Sequence, residues 1–277
     1  MLDIDLNIAL TNKEYHSRSE ISKSDLDRLA KSPFHFKFKS EFETEPSQTL
    51  LLGSLVHKLV LEPQDFNNEF IIEPVCDKRT KAGKEAYQEF LASVGDKTIV
   101  PQSLNETAQE IALKVLSMKE TGLFLKNGLA EQSYFGEIEG VKVKCRPDFY
   151  NESLGLAIDL KTTSDASASG FAKSVANFNY HIQASFYSDI LRQNGKEVNN
   201  FLFIAVETKK PYMVGFYELD QTAIDKGRDD YLRLLDLYKV CEAKNEWWGY
   251  AEFKDNEVNH IQTLALPNWK FYQEVGA

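Results

Sequence analysis

Residues 154–162 constrain this chain more than any other segment, because they set two charges inside an otherwise apolar strand. Leu156, Ala157, Ile158 and Leu160 are residue types that proteins bury, so the strand belongs in the middle of a sheet, where a charge needs a reason. Side chains two apart on a strand share a face. Asp159 and Lys161 therefore project together, while Ile158 and Leu160 turn toward the core. Arg146-Pro147-Asp148 ends the preceding strand, with ten residues between it and Asp159. A short turn between the two strands brings both carboxylates to one point with the lysine beside them.

Such a set suits a hard divalent cation such as Mg²⁺, which takes carboxylate and phosphate oxygens. A bound cation polarises a phosphoryl group, lowers the pKa of a water and stabilises a departing oxyanion. The ammonium of Lys161 could orient the attacking water or offset charge in the transition state. Without a cation, neighbouring carboxylates repel and one of them holds a proton. The plainer reading of D-x-K is a solvated ion pair on an edge strand. Against it stand the apolar flanks, the hairpin spacing of Asp148, and a further carboxylate, Glu131, one strand earlier. Gln183 and Tyr187, four apart on the following helix, share one face. Gln183 could reach the water or a phosphate with Tyr187 in support, although an ordinary amphipathic helix also carries such pairs. His181 reads as a surface or supporting group, and His57 by itself as a satisfied core histidine.

The pattern along the chain predicts a helical N-terminal part, a three-stranded meander, a helix and two more strands. Residues 1–20 read as polar and extended. Ser24 is expected to cap a helix over 25–31, followed by a basic helical turn over 33–40. Residues 48–62 read as a buried helix, since apolar residues nearly surround its axis, ended by Pro63. A basic loop over 76–84 precedes helices over 85–93 and 104–120. Strands are expected at 131–138, 141–150 and 154–162, joined by Glu139-Gly140 and Asn151-Glu152-Ser153. A polar linker rich in Ala and Ser leads to a helix over 179–192, strands at 200–207 and 212–219, and a long helix over 222–244. The tail contains Trp247, Trp248 and Trp269. The order is that of an α/β fold, a central mixed sheet flanked by helices. One domain spans 1–277, with a mainly helical part (1–125), a sheet core (126–220) and a C-terminal helix and tail (221–277).

Composition narrows the chemistry. With 277 residues the chain can bury a full core without staples. Its three cysteines form no CxxC pair, which argues against a zinc or iron–sulfur site and against a disulfide scaffold. MLDIDLNIAL lacks the basic start of a signal peptide, and no apolar run is long enough to span a membrane, so a cytoplasmic protein is expected. The net charge of −10 disfavours a protein that coats DNA, but leaves room for a local basic channel.

The order Glu131, Arg146-Pro147-Asp148, Asp159-Leu160-Lys161-Thr162-Thr163 and Gln183-x-x-x-Tyr187 resembles the PD-(D/E)XK nucleases, whose core is that of restriction endonucleases, with a trailing QxxxY motif. More closely it looks like the RecE-type exonucleases. Tyr15-His16, Ser22-Lys23-Ser24, Ser32-Pro33, Gly53-Ser54-Leu55-Val56-His57, Leu61-Glu62-Pro63 and Arg79-Thr80-x-Ala82-Gly83-Lys84 support that likeness, which runs from about residue 14 to about residue 220. The resemblance implies Asp148, Asp159, Lys161, Glu131, Gln183 and Tyr187 as the catalytic group. It implies His57, Asp148, Asp159 and Leu160 as the metal set for Mg²⁺, with Mn²⁺ as a substitute. It reverses the reading of His57, since an imidazole can ligate a metal or hold a ligand in place.

The same resemblance implies processive 5′→3′ degradation of one strand from linear double-stranded DNA ends, leaving 3′ tails. Such enzymes form rings, here a trimer or tetramer, and work beside a RecT-type annealing protein in a bacterial or phage-infected cell. Contacts to phosphate are sought at Lys37, Lys39, Arg79, Lys81 and Lys84, each of which also fits a solvated face. Three other functions compete: a structure- or sequence-specific endonuclease on the same core, a catalytically silent DNA-binding or assembly protein, and a hydrolase of small phosphoesters.

Overall fold

A computed structural model describes residues 10–42, 47–267 and 270. The chain begins with α1 (Asn12–Ser17), α2 (Lys23–Lys31), α3 (Pro33–Lys37), α4 (Gln48–Leu61) and α5 (Phe66–Glu69). Then come β1 (Phe70–Ile72), α6 (Lys81–Ser93), β2 (Thr98–Val100), α7 (Gln102–Leu116) and α8 (Lys119–Phe124). The central segment holds β3 (Gly128–Ala130), β4 (Tyr134–Ile138), β5 (Val141–Cys145), β6 (Phe149–Asn151) and β7 (Leu156–Thr163). It continues through α9 (Ala168–Asn177), α10 (Tyr180–Gln193), β8 (Asn200–Glu207) and β9 (Val214–Glu218). The chain closes with α11 (Gln221–Lys244), β10 (Glu252–Lys254) and β11 (Glu257–Asn259). No helix among the described residues is long and apolar enough to cross a membrane.

The strand with the two charges is central, as its composition requires. The main sheet has the order β3-β6-β7-β8-β9, in which β7 and β8 are parallel and the other pairs antiparallel. It is the mixed sheet expected of this α/β chain. One face of β7 and β8 presents Leu156, Ile158, Leu160, Leu202, Ile204 and Val206 to a core shared with α4 and α7. Burying each of these side chains contributes roughly 1.5–3 kcal/mol. On α4, Leu52, Leu55, Val56 and Val60 form the buried stripe, while Leu50 is 65% exposed. That helix is therefore buried along one side and not all round, because its sequence pattern counts residue types and not neighbours.

The expected meander divides into two sheets. β3 ends at Ala130, and Glu131 turns with φ 51°, so residues 131–133 belong to no strand. β4 and β5 make a separate hairpin, extended at its edge by a bridge from Ile21 to Val143. The strand expected through residue 150 breaks at Arg146-Pro147-Asp148. Pro147 has no N–H to give a ladder, so the chain leaves the hairpin there and enters the main sheet as β6.

The helical limits also shift. Residues 12–17 are helical and not extended, held by a capping box between Thr11 and Glu14. α2 starts at Lys23, so Ser24 lies within its first turn and does not cap it. Thr80 caps α6 through the Gly83 N–H, which draws Lys81–Lys84 out of the expected loop. The helix expected to reach residue 120 ends at Leu116, and α8 follows after a break. The polar linker after β7 contains α9, capped by Ser167. Trp269 and residues 1–9 lie outside the described residues.

The described residues cluster in two units. Those of Met1–Lys23 and Thr44–Arg233 form the larger, which holds the main sheet. Those of Ser24–Glu43 and Leu234–Ala277 form the smaller. In the smaller unit, Phe36 stacks on Trp247 with ring centroids 5.5 Å apart, and the Phe34 N–H donates to the Trp248 carbonyl at 2.9 Å.

Candidate metal centre and cleft

β7 places Asp159, 1% exposed, with its side chain beside that of Lys161. Lys161 Nζ lies 2.6 Å from Asp159 Oδ2, an ion pair that engages this buried oxygen. The other oxygen, Oδ1, accepts from Gln183 Nε2 on α10. Asp148, at the entry to β6, accepts the Leu160 N–H on Oδ2 at 2.6 Å, and His57 Nδ1 of α4 stands 3.3 Å from the same oxygen. The Glu131 N–H donates to the Asp148 carbonyl at 3.1 Å, which fixes the turn between β3 and β4 next to β6. One ligand atom each from His57, Glu131 and Asp148 lies within 4.8 Å of the others.

These groups carry more negative charge than their surroundings offset. Burial, then the nearby charge of Asp159, pushes Asp148 up to about 6, although His57, Lys161 and the Leu160 N–H favour its charged form. Burial, then Asp148, pushes Glu131 up to about 8, with Arg146 opposing. Burial works to lower Lys161, yet Asp159 and Asp148 outweigh it and its proton is held more tightly than usual. An imidazole and two crowded carboxylates within 4.8 Å of one another fit a divalent cation, which would relieve the repulsion that now favours protonation. His57, Glu131 and Asp148 are the residues grouped to hold it, while Asp159, expected as a ligand, lies outside that group with its oxygens turned to Gln183 and Lys161. Leu160 contributes its backbone N–H to Asp148 and also lines the cleft described below.

Tyr187 lies one turn beyond Gln183, its ring 6.2 Å from that of Phe201. Burial holds its hydroxyl proton well above the ordinary range, and the charges of Asp159 and Asp148 act in the same direction. His181 turns instead toward α11, with Nε2 3.2 Å from Asp230 Oδ2.

A cleft of about 680 Å³ opens beside these groups, lined by Thr49, Gly53, Ser54, His57, Glu131 and Lys161, among others. Gly53 lets α4 come close to β7, since a Cβ there would lie 3.3 Å from Thr162 Oγ1. A second recess of about 770 Å³ is also lined by Lys58, Glu62, Glu69 and Glu131. Of the cations sought for phosphate, three belong to the larger unit. Arg79 pairs with Asp77 at 3.0 Å, Lys81 faces Glu85 at 3.8 Å, and neither they nor Lys84 line the cleft or the recess. Lys37 and Lys39 belong to the smaller unit, where Lys37 Nζ is 4.6 Å from the Trp247 ring and Lys39 Nζ is 3.5 Å from Asp25.

The sequence reading passed over Lys58, Tyr180 and the anchoring role of Arg146. Lys58 lines the cleft and binds Glu62 at 2.7 Å and Glu69 at 2.6 Å. Its i,i+4 spacing from Glu62 was a visible signal, but Glu69 required the fold. Tyr180 has its ring 4.7 Å from Lys161 Nζ. Arg146 donates to Ser133, Asn12 and the Leu10 carbonyl, tying the segment before α1 to the end of β5.

Residues 22–257 match the model of a family described as a PDDEXK-like domain of unknown function (DUF3799). No curated protein matches the sequence. Among solved structures, a protein from Eubacterium rectale designated as an exonuclease is similar at 18% identity and a TM-score of 0.63. That likeness covers 97% of this chain and 100% of the other, and shows a shared fold. A phage related exonuclease from Haemophilus somnus 129PT is 16% identical over 70% of this chain and 95% of its own, with a TM-score of 0.32, too low to support an argument.

Proposed function

This chain belongs to the PDDEXK-like family, and from the site it carries we propose that it is a nuclease dependent on a divalent metal ion. The observation that carries the reading is the convergence of His57, Glu131 and Asp148 within 4.8 Å, with the buried Asp159–Lys161 pair adjoining and a cleft alongside. Mg²⁺, with Mn²⁺ as a substitute, is the proposed ion. When bound it supplies charge to a phosphoryl oxygen and acidity to a water.

The protein's own groups have separable tasks. Asp159 and Asp148 keep Lys161 protonated, so an ammonium stands at the cleft ready to offset charge on a phosphate. Gln183 orients Asp159, and the Leu160 N–H and His57 orient Asp148. Asp148 and Glu131 are the carboxylates that must lose protons when a cation is held, so ion binding releases protons in near-neutral solution.

The finer reading is an exodeoxyribonuclease that degrades one strand of linear double-stranded DNA in the 5′→3′ direction, leaving 3′ tails for recombination by annealing. Its support is the order of acid, RPD, DLK and QxxxY, which resembles that of RecE-type exonucleases, and the approach of Asp148 to His57 and Leu160 and of Asp159 to Lys161 and Gln183 beside one cleft. The assembly that accompanies this reading is a trimeric or tetrameric ring working with a RecT-type annealing protein in a bacterial or phage-infected cytoplasm.

Digestion of end-labelled linear duplexes, with closed circles as control, tests the whole reading in one assay. Mg²⁺-dependent loss of the 5′ label on linear DNA, with circles spared, is the expected result. Cleavage of circles would replace the exonuclease by an endonuclease. Shortening of the 3′-ended strand alone would overturn the direction and leave the metal centre standing. Absence of cleavage with either ion would overturn the nuclease.

A further inference from the structure

Phe178 has no part in the chemistry above, yet it lines the cleft beside Lys161 while 58% exposed. Single exposed apolar side chains are ordinary on protein surfaces. What sets this one apart is the column of rings behind it. Phe178 stacks on Tyr180, with centroids 5.7 Å apart and planes at 30°, and Tyr180 stacks on Phe203 at 5.7 Å and 27°. Phe203 is fully buried on β8, so the column runs from the core out to the cleft.

The backbone under Phe178 is held as firmly as the ring. Its N–H donates to the Ser174 carbonyl at the end of α9, and Asn179 turns with φ 53° directly into α10. Lys23 Nζ donates to the Phe178 carbonyl at 2.7 Å. Two ammonium groups flank the middle ring, Lys161 at 4.7 Å and Lys23 at 5.6 Å from the Tyr180 centroid. A fixed aromatic surface next to cations, in the cleft that adjoins the carboxylates, matches the two halves of a nucleotide. The base has a π-face to lay on a ring, and the phosphate has charge to set near an ammonium.

We propose that Phe178 is a stacking platform for a nucleobase of the strand being cut, beside the scissile phosphate. The proposal rests on the nuclease reading. It names what that site takes as an unpaired base, since a base within a duplex has both faces covered by its neighbours. A duplex end must therefore open before its strand enters. Stacking tolerates any base, because every base has a π-face.

The test compares Phe178→Ala and Phe178→Trp with the unaltered chain on linear duplexes in Mg²⁺. One substrate set has normal ends, and the other lacks the bases of the terminal two nucleotides of the cut strand. On normal ends Phe178→Ala is expected to raise KM about tenfold with kcat little changed, within the range of stacking losses on alanine substitution. Phe178→Trp should stay near the unaltered value. On baseless ends the unaltered chain should show a similarly raised KM, and Phe178→Ala should add nothing to it. A KM unmoved by Phe178→Ala, or raised equally on both kinds of end, overturns the platform.

If the unaltered chain cuts no DNA, the nuclease reading falls, and the platform is read from binding. Quenching of 2-aminopurine at the end of a bound strand, lost in Phe178→Ala, then supports it. Quenching that persists in Phe178→Ala, or no binding at all, overturns it.

Discussion

Asp159 is 1% exposed and held by a glutamine on one oxygen and a lysine on the other, so its carboxylate has one orientation available. Asp159→Asn keeps that shape while removing the charge. It should lower metal-dependent cleavage by at least about 100-fold, the scale of losing one charge-stabilising group. Lys161→Met should do the same, and unchanged circular dichroism would separate lost chemistry from lost folding. An equally active variant would remove the residue from the mechanism.

Glu131 gives a second test at this scale. In the metal-free fold it keeps its proton up to about 8, against 4.5 for the unburied group, and Asp148 up to about 6, against 3.8. Between those values the folded chain binds more protons than the unfolded chain, so stability falls as pH rises through the window. The Tm of chelator-treated protein should decline from acid toward pH 8. Glu131→Gln should flatten that decline, and Mg²⁺ should raise Tm most at the alkaline end. A Tm that rises across the window would contradict this charge balance.

At the scale of elements, α10 has two working faces. Gln183 meets β7, while His181, Ser185 and Asp189, at i, i+4 and i+8, meet the first half of α11. His181 pairs with Asp230 at 3.2 Å, and Ser185 Oγ donates to the Ile224 carbonyl at 2.6 Å. Asp189 accepts from Arg228 at 2.8 Å and from Tyr231 at 2.6 Å. Gly227 permits this approach, since a Cβ there would fall 2.2 Å from the His181 carbonyl oxygen. Gly227→Ala should therefore destabilise the protein by about 1–3 kcal/mol, the usual scale of overpacking. Activity should fall with it, because the shift carries Gln183 away from Asp159. A denaturant midpoint unchanged from the parent would refute this close approach.

For the molecule as a whole, the net charge of −10 and the carboxylates around the cleft oppose DNA. Lys58 and Lys161 line the cleft, but Lys58 is committed to Glu62 and Glu69, and Lys161 to Asp159. With exposed charges screened beyond about 8 Å at physiological salt, distant lysines offer little long-range attraction. DNA should therefore bind weakly in chelator and tightly once Mg²⁺ neutralises the carboxylates, as read by fluorescence anisotropy. Equal affinity in both conditions would place the binding surface away from the cleft.

Local pattern alone determined that a central strand runs through Asp159 and Lys161, although it starts at Leu156 and not at Leu154, that these two share its face, and that Gln183 follows on a helix. It also set the limits of β8 to the residue, because an apolar run bounded by polar residues needs no partner to be recognised. It could not divide residues 131–150 into two sheets, since the break at Arg146-Pro147-Asp148 depends on which strand each side pairs with. Nor could it decide His57, which meets Asp148 across more than ninety positions of chain and looks like any core histidine until that contact exists. The ring column to Phe178 is of the same kind. It joins a residue between α9 and α10 to residues of α10 and β8 that no periodicity connects, and only the packing of helices on the sheet stacks them. Spacing carries information along one element, where the backbone repeat sets the geometry; contacts between elements follow from how the whole core fills its volume.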